Sequence, residues 1–165
     1  MSNPDTNTPH LGVLSCPMGE ANIQPFNNLV CLLRHINHKV AVIVVHDEFS
    51  SINELLSNDV QNLSEIIHHS GSTTLVSRIG FYFGTQVRIS IRLLLSTQKN
   101  QQWVFYIDNG LILPMITAKI LQSHTLIILG GSQEREVRLK GSRIGKVANS
   151  LAKINLRLCN KIVVY

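Results

Sequence analysis

The chain has 165 residues, 44% hydrophobic and 15% charged, with a formal net charge of +5. That composition is globular, excludes a disordered chain and suffices for one domain with a real core. The positive surplus is uneven: residues 132–165 carry eight basic and two acidic residues, which suits a solvated helix face or a patch for a phosphate group or an anionic membrane surface.

Residues 1–9 form a polar, flexible leader without the cationic start of a secretory signal, so none is expected there. The segment 10–16 (HLGVLSC) predicts a short strand, followed by the turn-forming PMGEAN. A helical pattern runs from 23 to 36, with Pro25 in its first turn and Phe26, Leu29, Val30 and Leu33 on one side. The run 39–45 (KVAVIVV) is nearly continuous apolar and β-branched, as a strand covered on both faces of a parallel sheet must be.

Residues 46–59 are polar, with one helical turn expected over 52–56, and 63–68 reads as another short strand. Gly71 and Ser72 then precede an amphipathic helix over 75–95. Its apolar side carries Ile79, Val87, Ile91 and Leu94, opposite Arg78, Arg88 and Arg92, while Gly80 and Gly84 weaken it. A strand over 103–107, a helix over 111–121 with Pro114 near its start, and a strand over 125–129 follow. A basic loop leads to a helix over about 144–158 and a last strand over 161–165. The apolar stretch 111–129 is interrupted by Pro114, Lys119, Gln122, Ser123 and His124, so it predicts a buried helix and strand, not a membrane span.

Strands alternating with helices imply right-handed crossovers and a mostly parallel, Rossmann-like sheet between two helical layers. Ligands collect at the carboxyl ends of such strands. That rule marks the loops 17–22, 46–49, 108–110 and 130–140, and with them Gly19, Glu20, Asn22, Asp47, Gly110, Gly130 and Gly131. A glycine beside a helix start permits close backbone approach to a ligand, although a plain turn glycine fits Gly19 and Gly130–Gly131 as well. Asp47 suits a base or a ligand for hydroxyl groups, or a solvated loop charge.

Several chemistries are disfavoured. The first loop has one glycine in place of G-x-G-x-x-G, which argues against a dinucleotide enzyme, and there is no G-x-x-x-x-G-K-[ST]. Ser15 lies outside any G-x-S-x-G elbow. His35 and His38, and His68 and His69, lack metal-site spacing, so no metal is expected. Cys16, Cys31 and Cys159, odd in number and widely spaced, read as reduced core thiols of a cytoplasmic protein.

The stretches LGVLSCPMGEANIQPFNNLVCLL, IDNGLILPMITAKILQSHTLIILGGS and LAKINLRLCNKIVVY together resemble the N-terminal domain of GT-B glycosyltransferases, in particular family 4. The resemblance spans most of residues 10–165 and includes no catalytic signature. It implies an acceptor-side domain of an enzyme that transfers sugar from a nucleotide-sugar donor to a glycan or lipid-linked acceptor. In that family the donor site and an E-x7-E motif belong to a C-terminal domain, which these residues do not contain. The domain is therefore expected to bind no cofactor or donor alone and to be inactive without a C-terminal domain, supplied in trans if need be.

By position, Gly19 and Glu20 match the family's cleft loop. Arg135, Arg138, Lys140, Arg143 and Lys146 would suit docking on an anionic membrane at the inner face, as several family members dock. No nucleic-acid partner is expected. The alternative is a non-catalytic α/β binding module or a regulatory partner of a full-length transferase.

Overall fold

The computed structural model describes residues 11–16, 22–37, 39–47, 64–69, 75–97, 101–106, 110–129 and 143–164. In chain order the elements are β1 (Leu11–Ser15), α1 (Ile23–Ile36), β2 (Val40–Asp47), β3 (Ser64–His69), α2 (Leu75–Ser96), β4 (Gln102–Tyr106), α3 (Ile112–Ile120), β5 (His124–Leu129), α4 (Arg143–Leu158) and β6 (Lys161–Val164). The six strands form one sheet in the order β3-β2-β1-β4-β5-β6, and every pairing is parallel. This is the doubly wound Rossmann order.

Side chains alternate across the pleat, so the inner strands divide their apolar residues between two cores. Leu11, Val13, Val42, Val44 and Val104 pack with Ile23, Phe26 and Val30 of α1. On the other face Leu14, Ile43, Val45, Trp103, Phe105 and Ile127 pack with Ile89 and Leu93 of α2 and with Leu111, Met115 and Ala118. Leu156 and Leu158 of α4 join that second core. The result is a three-layer α/β/α domain, as the alternating pattern predicts.

The helix expected over 75–95 is present, but its expected apolar side does not pack. Ile79, Val87, Ile91 and Leu94 are 50%, 47%, 48% and 53% exposed. Among its described side chains the buried ones are Thr85, Gln86, Ile89 and Leu93, which share a different stripe at the same helical spacing. Gln86 can occupy a core position because its side-chain Oε1 accepts the Leu113 N–H at 3.0 Å, one of the amides that a helix start leaves without an internal partner.

Two smaller corrections follow from burial and pairing. Cys31 is exposed and so is not a core thiol, whereas Cys16 and Cys159 are half-buried and pack against the second core. Asp47 is the last residue of β2 and not part of a loop.

Candidate functional site at the carboxyl edge of the sheet

The chain first winds outward from β1 through β2 to β3, then returns to place β4 on the other side of β1. The crossovers on either side of that reversal cover opposite faces, so a crevice opens at the carboxyl ends of β1 and β4. Ser15 ends β1 with Cys16 next after it, Tyr106 ends β4, and Ile23 begins α1 with Asn22 at its N-cap.

Tyr106 is buried, and its ring meets that of Phe26 at a centroid distance of 5.3 Å. Its hydroxyl donates to the Asn22 carbonyl at 3.3 Å, tying the start of α1 to the end of β4. Asn22 is half-buried and supplies no side-chain cap to α1, whose first turn holds no acidic residue. A helix start of this kind favours an anion or a polar oxygen.

Ser15 is fully buried, and its Oγ accepts the Val45 N–H at 3.1 Å. The hydroxyl thus closes the β1–β2 pair one step past its regular ladder, which explains a serine here without any nucleophilic role.

Gly110 lies at the start of α3, half-buried, and the Tyr82 hydroxyl of α2 donates to its carbonyl. A Cβ at Gly110 would stand 3.2 Å from that hydroxyl. The side chain closest to Gly110 is therefore part of the protein's own clamp. Together with Gln86 it fixes where α3 begins.

At the far end of the same edge, the register sets His46 opposite His68 and Asp47 opposite His69. His46 precedes Asp47 in the chain and falls in the same stretch 46–49 that the strand-end rule marks. His68 and His69 come beside them only through cross-strand pairing, for which a single sequence carries no local signal.

Gly19, Glu20, Gly130, Gly131, Arg135, Arg138 and Lys140 lie outside the described residues. Arg143 and Lys146 fall in the first turn of α4, with side chains outside the description. The structure thus brings Asn22, Asp47 and Gly110 to one edge of the sheet, with Asn22 at the β1–β4 crevice. Among the described residues no group of three or more His, Cys, Asp or Glu is arranged to hold a metal ion. No described helix is long and apolar enough to cross a membrane.

The fold is Rossmann-like α/β. It is similar to the crystal structure of a UGT transferase from Siraitia grosvenorii in complex with UDP, with a TM-score of 0.57 and 12% sequence identity. The match covers 93% of this chain and 44% of that one, so the chain spans less than half the length of the transferase it resembles. No protein-family model matches the sequence. No curated protein matches it either.

Proposed function

We propose that this domain is the acceptor-side half of a GT-B glycosyltransferase of the family-4 kind, acting with a second, donor-binding half. The observation that carries the reading is the extent of the structural match, nearly all of this domain against under half of a UDP-bound transferase. The start of α1, which the Asn22 side chain does not cap, lies at the switch-point crevice and supports it, since acceptor hydroxyls or a phosphate would meet backbone amides there.

In this reading Gly19, Glu20 and Asn22 line the acceptor side of the cleft, with Asp47, Gly110, Gly130 and Gly131 at neighbouring strand ends. Arg135, Arg138, Lys140, Arg143 and Lys146 take the phosphate of a lipid-linked acceptor. The nucleotide-sugar donor belongs to the other half, and catalysis requires both.

Isothermal titration against UDP- and GDP-sugars tests the division of labour. The domain alone should show no binding, and a one-site isotherm with Kd below roughly 100 μM, about −5.5 kcal/mol, would refute it. Supplying a family-4 C-terminal domain in trans should restore transfer of labelled sugar to lipid extract. A domain that stays monomeric, soluble and indifferent to any such partner would instead be an independent binding module.

A further inference from the structure

The apolar side that the sequence assigns to α2 points away from the sheet. Val87, Ile91 and Leu94 are exposed there, and so are Gly80 and Gly84. Gly80, Gly84, Val87, Ile91 and Leu94 follow one another at steps of four, three, four and three residues, the seam spacing of a two-helix coil. A Cβ at Gly80 or Gly84 would touch nothing within 4 Å. An open hollow of about 300 Å³ lies beside Gly80, lined among the described residues by Ser77, Gly80 and Phe81.

Residue size changes along this seam. Its first half carries Ser77, Gly80 and Gly84, and its second half Val87, Ile91 and Leu94. A parallel copy in register would set glycine on glycine and leave a gap. An antiparallel copy, with its two-fold axis level with the Thr85–Gln86 peptide, sets Ser77 beside Leu94, Gly80 beside Ile91 and Gly84 beside Val87. Every small residue then meets a large one, and Ile91 enters next to the hollow at Gly80. Such self-complementarity is what a two-fold interface requires. In the same register Arg88 stands level with Phe83 of the other copy and Arg92 with Ile79, so cations are not set against cations.

The area available matches what a stable dimer needs. α2 and α3 cover the same face of the sheet, so Ile116 and Ile120, exposed on α3, flank the seam. Together with Phe83, Val87, Ile91 and Leu94 they are between 39% and 73% exposed. A half-exposed side chain of this size offers on the order of 80 Å², so these six supply roughly 500 Å² of apolar surface. A standard interface buries roughly 800 Å² per partner, about two-thirds of it apolar in homodimers, which is the same amount.

We propose that the chain forms a two-fold homodimer in which α2 packs antiparallel on its own copy. Gly80 and Gly84 of each chain receive Ile91 and Val87 of the other, and α3 closes the flanks. No residue of the crevice enters this interface, so the dimer does not depend on the transferase reading.

Sedimentation velocity of the whole chain over a concentration series tests it, and a monomer–dimer equilibrium is expected. The double substitution Val87→Glu and Ile91→Glu should raise the dimer Kd at least about a hundredfold through lost apolar burial. Both positions are exposed, so circular dichroism should be unchanged. Gly84→Leu separates the interface from the fold. It should raise the Tm of the monomer, measured below the dimer Kd, because leucine is the better helix former and meets no neighbour there. It should still weaken the dimer at least about tenfold by filling the space for Val87 of the other copy. Adding Val87→Ala, which exchanges sizes across the seam, should recover part of that loss.

Disulfide trapping reads the orientation. A Gly80→Cys chain mixed with an Ile91→Cys chain should yield an interchain disulfide between positions 80 and 91, identified by mass spectrometry of the linked peptides. A disulfide joining position 91 of both copies would instead show a parallel pair and overturn the proposal. So would a chain that stays monomeric throughout the series, or a dimer that the double glutamate substitution leaves intact. A dimer abolished by Val163→Lys would also overturn it, by assigning the contact to the β6 edge.

Discussion

Gly12 and Trp103 stand opposite each other across the β1–β4 pair, and the indole occupies the space where any side chain at position 12 would begin. A Cβ there would lie 2.5 Å from Trp103 Cε3 and Cζ3. The ring is fully buried, and its N–H has no hydrogen-bond partner among the described residues, so packing holds it.

Gly12→Ala should therefore destabilise the domain by about 1–3 kcal/mol, the usual cost of overpacking. Adding Trp103→Phe removes the clashing part of the indole together with the unpaired N–H. The double variant should recover part of the loss in urea denaturation. Strict additivity of the two substitutions would show that the contact is not what constrains position 12.

The Gln86 side chain links the core of α2 to the first amides of α3. Replacing it with Leu keeps the volume and leaves the Leu113 N–H without its partner. The expected cost is about 1–3 kcal/mol, because a buried donor loses its acceptor. Hydrogen exchange localises the effect: the Leu113 amide should exchange faster in Gln86→Leu, whereas amides of α1 should not.

The strands were legible because their patterns are nearly self-sufficient. Residues 40–45 are continuous apolar and β-branched, and no exposed strand would carry them. The packing face of α2 was not legible, because three of its inward residues, Tyr82, Thr85 and Gln86, are polar. Tyr82 and Gln86 are satisfied by Gly110 and Leu113, partners that exist only once the β4–α3 connection is in place. Asn22 and Gly110 were reachable from the strand-end rule. The placement of His68 and His69 opposite His46 and Asp47 was not, since register is a property of the sheet.

Gln122 follows α3 with φ at 57°, the only positive value at a non-glycine position among the described residues. It is exposed, so its side chain gives up no burial when removed. Gln122→Gly should relieve left-handed strain and stabilise the fold by about 0.5–1 kcal/mol. Thermal unfolding reads this directly, and an unchanged or lower Tm would show that the turn is not strained.

The cysteines should separate by reactivity. Burial pushes the Cys159 thiol above its ordinary value, a rise opposed by the charge of Lys119 and by a backbone hydrogen bond. A raised pKa means less thiolate at a given pH, and thiolate is the species that alkylates. Iodoacetamide near neutral pH should modify exposed Cys31 well before Cys159, and the Cys159 rate should keep climbing into the alkaline range. Mass spectrometry of the labelled peptides measures both rates, and equal rates would place Cys159 in free solvent.

Among the described residues β6 is the last strand at its edge of the sheet, and Ile162, Val163 and Val164 are all exposed. An uncovered apolar edge is a template for pairing with another chain, which natural domains usually blunt with charge. Val163→Lys places a cation at that edge. The position is exposed, so the loss of packing is small, and stability should stay within about 0.5 kcal/mol. Light scattering of the isolated domain should show less self-association in this variant. The same substitution distinguishes idle exposure from a functional edge. If the donor-binding half covers β6, Val163→Lys should also reduce trans-complemented sugar transfer, whereas complementation at full wild-type level would place the interdomain contact elsewhere.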